Sequence, residues 1–259
     1  MIHTLEAPSQ PKPSSPVLSL LNPRETTKWF ALTVPIGLLC GAFGIAFMKF
    51  PLWAAVLALL VAVMPALVIK WRADGMKYGK RIMLISILLT AQGLHSVEHV
   101  AQWAEYHVFN FTLRQSNGLL SPANAEWVHF VWNWVVLFAI IAIIASGMRN
   151  IWAWILLFVA VTHTIEHSYS FIRYLQILSE LGSMGVTNIS AQGLPGILGR
   201  DGWLARSPLT QGTIWCGIPG LTTAERLDLH FWWNVIEMTF TVLASHVYLS
   251  AKFKVQSSK

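Results

Sequence analysis

The sequence predicts an all-α, polytopic membrane protein with six transmembrane helices. Four of them form a duplicated helical-hairpin core, a four-helix bundle with a pseudo-twofold axis. Three observations predict this. The chain is 54% hydrophobic and 12% charged, whereas soluble domains are about 25% charged. The apolar residues fall into six runs, each close to the roughly 20 residues that a helix needs to cross the hydrocarbon. Finally, His-x-x-Glu-His occurs twice inside such runs, at His95–His99 and His163–His167. Each copy is followed by a run that opens on His-Phe-x-Trp-Asn, at His129–Asn133 and His230–Asn234.

Residues 1–28 are polar and carry Pro8, Pro11, Pro13 and Pro16. They lack the basic start, short apolar core and small-residue cleavage site of a signal peptide, so they read as a loose cytoplasmic tail. Residues 29–259 read as one transmembrane domain, with spans near Trp29–Phe47, Leu52–Trp71, Ile82–Tyr106, Trp127–Ser146, Ile151–Tyr174 and Leu229–Leu249. The first two (29–81) flank the core, 82–146 forms the first repeat, and 147–250 forms the second. Links after spans one and four are tight. Two loops are longer, at about 107–126 and about 175–228, and the second holds many glycines and prolines. Loops of that length within a compact domain are usually functional or disordered.

Orientation follows from the basic residues. Arg24, Lys28, Lys70, Arg72, Lys77, Lys80, Arg81, Arg149, Lys252, Lys254 and Lys259 cluster on one set of ends. Positive residues mark the cytoplasmic side. Both termini are therefore expected in the cytoplasm and both long loops outside, with a bacterial-type inner (plasma) membrane as the location. The net charge of +6 reflects this placement, and nucleic acid is excluded as a partner. Many of the thirteen tryptophans lie near span ends, where the aromatic belt of a bilayer protein sits. Cys40 and Cys216 have no CxxC neighbour and carry no redox or metal signal.

At 100° per residue, positions i, i+3, i+4, i+7 and i+11 share one helix face. Span three then presents His95, Glu98, His99, Gln102 and Tyr106. Span five presents His163, Glu166, His167, Ser170 and Tyr174. Span four offers His129 and Asn133, and span six offers His230, Asn234 and Glu237. Ionisable groups within spans are costly and mark functional sites by default. Lipid cannot host these stripes, so they must face one another. His95 is about 13 residues into its span, which at ~1.5 Å per residue places it roughly 20 Å from the cytoplasmic end. His129 and His230 open their spans on the outer side, so the four stripes meet in the outer half of the membrane.

Imidazole suits zinc, iron, copper and nickel, and carboxylates add charge neutralisation. Four-helix bundles build two-metal sites from facing helices with Glu and His at i, i+3. The expected ligands of a mono- or dinuclear site are His95, Glu98, His99, His129, His163, Glu166, His167 and His230. Gln102, Asn133, Asn234 and Glu237 are expected to orient them. Glu98, Glu166, Tyr106 and Tyr174 are candidate catalytic groups. Iron is the first choice of metal, then zinc or copper. The expected activity is oxygen-dependent oxidation of an apolar or lipid-like substrate, with reducing equivalents from an electron donor or another membrane subunit. The pattern is similar in logic to histidine-rich di-iron membrane desaturases and hydroxylases, without their paired-histidine boxes. His-x-x-Glu-His also resembles the inverzincin signature of zinc peptidases. Alternatives from other classes are a haem- or chlorophyll-binding subunit of an electron-transfer complex, a zinc-dependent membrane hydrolase and a metal transporter.

Structural roles compete for several of these residues. Val136 stands where Glu237 would have its counterpart, Tyr106 and Tyr174 read equally as interface anchors, and the tryptophans after His129 and His230 read as packing residues. His3, His107 and His246 carry no assigned role.

Overall fold

The computed structural model describes residues 15–23, 26–186 and 194–257. The first fourteen residues of the expected tail lie outside them, as do Arg24, Gly193 and Lys259. Among the described residues there are eight α-helices and no strand: α1 (Pro16–Leu21), α2 (Thr27–Met48), α3 (Leu52–Tyr78), α4 (Lys80–His107), α5 (Glu126–Ala145), α6 (Ile151–Ser183), α7 (Trp203–Arg206) and α8 (Arg226–Ser257).

Four helices, α2, α3, α5 and α6, are long and apolar enough to cross a membrane, which points to an integral membrane protein. The other two long helices, α4 and α8, have 28 and 32 residues. At ~1.5 Å per residue they are long enough to span, but their polar stripes and charged ends dilute the hydropathy. This is the physical reason that sequence periodicity and bulk hydropathy disagree about them. The long apolar side chains left exposed on the other helices, such as Leu39 and Phe43 on α2 and Phe158 on α6, are those that lipid would cover.

Helices α4, α5, α6 and α8 form a closed ring, in which each packs on the next and α8 returns to α4; α3 lies against α4, and α2 against α3. One seam explains the α2–α3 pairing. Gly37, Gly41 and Gly44 line the buried face of α2, where small residues let helix backbones approach closely. A Cβ at Gly41 would lie 3.1 Å from the Ala55 carbonyl oxygen.

The ring interior divides into two layers. Toward the Lys80 end of α4, Ile82, Ile85, Leu89, Ile140, Ile143, Leu156 and Ala244 form a dry core. Toward the loops, the histidine stripes replace it. The expected tail is not loose throughout: α1 folds back, and Val17 and Leu20 are buried in the same core. Its period was hidden by its shortness and its flanking prolines. Helix α6 runs nine residues past the expected end at Tyr174, so the second loop is shorter than the sequence implied. Lys70 is not a solvated orientation marker; it is buried and donates to Asp74 at 2.6 Å and to Ser86 at 2.9 Å, tying α3 to α4.

Candidate metal centre

The imidazoles of His95, His99, His129, His163, His167 and His230 meet inside the ring. His95 and His99 have ring centroids 4.6 Å apart, and His99 and His129 5.6 Å. His129 lies 5.1 Å from His167, His167 4.8 Å from His163 and 4.8 Å from His230, and His230 returns to His99 at 5.8 Å. The helices place them simply. The i, i+4 pairs of α4 and α6 point inward at mid-height, and the first turns of α5 and α8 supply one imidazole each.

His95, His99 and His129 converge most closely. Their ligand nitrogens all lie within 4.8 Å of one another, a three-histidine group able to hold one metal ion. The His95 and His99 Nε2 atoms are 3.3 Å apart. Two imidazoles bound at about 2.0–2.1 Å on a tetrahedral ion would stand ~3.3 Å apart, so this pair needs no rearrangement to chelate. His163 and His167 show the same relation, Nε2 to Nε2, at 3.1 Å. The Nδ1 atoms of His99, His129 and His167 are buried without a hydrogen-bond partner. An unsatisfied buried polar group costs about 1–3 kcal/mol, so the cluster is expensive as packing alone.

Of the residues expected to orient the ligands, Glu237 is buried against His163, with Oε2 2.7 Å from Nδ1. Carboxylates behind ligand imidazoles commonly fix their orientation. Asn133 and Asn234 act differently. Each donates to the carbonyl oxygen of the histidine one turn earlier, His129 and His230, at 2.9 Å. Gln102 donates to Asn124 of the first loop. The Tyr106 ring packs edge-on against His107, and that of Tyr174 packs on Phe171.

Glu98 and Glu166 are engaged elsewhere. Glu98 accepts the backbone amides of Leu119 and Leu120 at 2.9 and 3.0 Å. Glu166 accepts those of Ile197 and Leu198 at 3.0 and 3.3 Å. Each helix carboxylate thus pins a loop over the histidines. Both loops come close through glycine. A Cβ at Gly118, whose φ is +68°, would strike the Glu98 carboxylate, and one at Gly196 would strike that of Glu166. The matching segments are Gly118-Leu119-Leu120 and Gly196-Ile197-Leu198. The shared Gly followed by two aliphatic residues is visible in the sequence, but no helical periodicity links it to the carboxylates.

Other contacts were missed. Trp132 packs on His95 at 5.1 Å, and Trp233 stacks on His163 at 5.2 Å with the rings nearly parallel. The tryptophan of each His-Phe-x-Trp-Asn motif therefore supports the first histidine of its neighbour helix. Glu126 is fully buried and ion-paired with Arg226 at the start of α8. Arg226 also donates to the Leu194 carbonyl oxygen at 2.5 Å. His107, given no role from sequence, pairs with Asp228 at 2.6 Å. A cavity of about 200 Å³ opens above the cluster, with His99, His129 and His230 at its floor. Comparison with protein-family models, curated proteins and solved structures finds no match.

Proposed function

We propose that this chain is a membrane metalloenzyme that binds one or two metal ions in its histidine cluster and oxidises a substrate with dioxygen. The observation that carries the reading is the convergence of six imidazoles from four helices, with three of them spaced for a single ion. In this reading His95, His99 and His129 hold the first ion. His163, His167 and His230 hold a second, with Glu237 orienting His163. Helices α4 and α8 also cross the bilayer, shielded by their neighbours, with both termini cytoplasmic and the loops outside. Spans three and four are a duplicate of spans five and six. An all-imidazole donor set suits iron, copper or zinc. The cavity reaches His99, His129 and His230, so an incoming molecule could approach an ion held by them, as catalytic sites require.

The alternatives fare worse on specific grounds. A zinc hydrolase of the His-x-x-Glu-His type needs its glutamate as base, but both glutamates hold loop amides. A haem needs a flat slot between axial ligands, whereas here the imidazoles pack on one another at 4.6–5.8 Å. A transporter needs a path onward, and the apolar layer of Leu88, Leu89, Val136, Ile140 and Leu156 blocks it.

Elemental analysis of protein purified without chelators tests the proposal. One or two equivalents of iron or copper per chain are expected, with loss of at least half in His99→Ala and His129→Ala. Metal-free protein, or unchanged content in both variants, would overturn it. Stoichiometric zinc alone would favour the hydrolase over the oxidase.

A further inference from the structure

The routes to the histidine cluster differ in chemistry. Of the four seams of the ring, two that would be lateral routes from lipid are filled by an aromatic stack at the level of the histidines. Between α5 and α6, Phe130 stacks on Phe171 at 4.7 Å. Between α4 and α8, Phe231 stacks on Trp103 at 5.2 Å. Phe130 and Phe231 directly follow His129 and His230, while Phe171 and Trp103 lie one turn beyond His167 and His99. The same helical geometry that turns the imidazoles inward therefore sets a plug in each of these two gaps.

Another route descends from the loops, and it is polar. Gln102, Asn117, Asn124 and Arg226 line the cavity above His99, His129 and His230. Its volume of about 200 Å³ is below the roughly 300–1,000 Å³ of sites for drug-sized ligands. An acyl chain placed there would meet mainly polar side chains, with Leu113, Pro195 and Leu227 the apolar ones. The charges at the rim are already paired, Arg226 with Glu126 and Arg200 with Glu225. The wall is thus hydrogen-bonding rather than strongly charged.

We infer that the substrate is a small, polar, water-soluble molecule that enters from the loop face, and not a lipid arriving from the bilayer. This rests on the metal reading above. It replaces the apolar substrate expected from hydropathy alone.

The test uses the full chain in lipid nanodiscs, loaded with cobalt, with Cys40→Ser and Cys216→Ser as background. Azide is the probe, read by its shift of the cobalt visible spectrum. Leu113→Cys, and independently Asn117→Cys, places a thiol in the cavity wall for a membrane-impermeant, charged thiol reagent. Labelling is expected to weaken azide binding at least tenfold relative to the same variant unlabelled. Ile165→Cys, on an exposed outer face of α6, is expected to leave azide binding unchanged after modification by a lipophilic maleimide. Unaltered azide binding in both fully labelled wall variants would overturn the inference, as would loss of binding on modifying Ile165→Cys alone. Cobalt content is measured on each sample. Protein that takes up no cobalt would overturn the metal reading and this inference together, whereas loaded protein with an open cavity after labelling would overturn this inference alone.

Discussion

Glu98 illustrates how one side chain can be legible in position while its contacts stay hidden. Its spacing put it on the histidine face, and it is indeed buried there. Its two oxygens, however, accept amides from Leu119 and Leu120, a long-range contact that no helical periodicity encodes. Hydrogen bonds to a charged group contribute about 1.5–3 kcal/mol, so the carboxylate is worth more as a loop anchor than as an orphan. Glu98→Gln is therefore expected to keep its full metal content while loosening the loop. Limited trypsin digestion should show cleavage after Arg114 several-fold faster than in the parent. Loss of metal with the loop still protected would instead make Glu98 a ligand. Histidine positions were readable because imidazoles cannot face lipid, which leaves the bundle interior as the place for a spanning helix to put them. Trp132 and Trp233 were legible as packing residues, but not as packing on the histidines of the neighbouring helix, a contact between helices that no single-helix pattern encodes.

At the scale of elements, the ring of α4, α5, α6 and α8 was foreseeable from the stripes alone, and helix ends were not. Helix α6 continues past Tyr174 to Ser183 because nothing in Leu175–Leu181 breaks a helix. The sequence reading stopped it where hydropathy fell. The α2–α3 seam also went unread, since glycines within an apolar run look like ordinary membrane composition. Its geometry is demanding: a Cβ at Gly37 would sit 2.8 Å from Leu59, and one at Gly44 2.6 Å from Phe50. Overpacking of this kind costs typically 1–3 kcal/mol. Gly41→Leu is expected to lower the thermal midpoint in detergent by several degrees without changing metal content, because α2 packs chiefly on α3. A coupled loss of metal would show that the pair does more than flank the core.

For the whole molecule, composition argues for a membrane protein, while a single basic residue is a poor guide to its orientation. Lys70 was counted as a cytoplasmic marker, yet it is sequestered in the Lys70–Asp74–Ser86 contact. The remaining basic ends keep the expectation that the loops lie outside, by the rule that positive residues mark the cytoplasmic side. Cys216, in the second loop and half-buried, offers a native test. A membrane-impermeant thiol reagent added to intact cells is expected to label Cys216 and to spare a Cys216→Ser variant. Labelling only after the cells are broken open would invert the topology and move the histidine cluster to the inner half.

His95, His99 and His129 have counterparts at matching sequence positions in His163, His167 and His230, but Glu237 has none. Glu237 stands behind His163, where the other half has Val136 behind no corresponding acid. A carboxylate at Nδ1 raises the basicity of the opposite nitrogen. The two ends of the cluster are thus unequal electron donors inside a near-symmetric frame, and ions bound at each would part company in potential and in preference for hard or soft partners. A single acidic side chain would be enough to make two ions held there unlike in task.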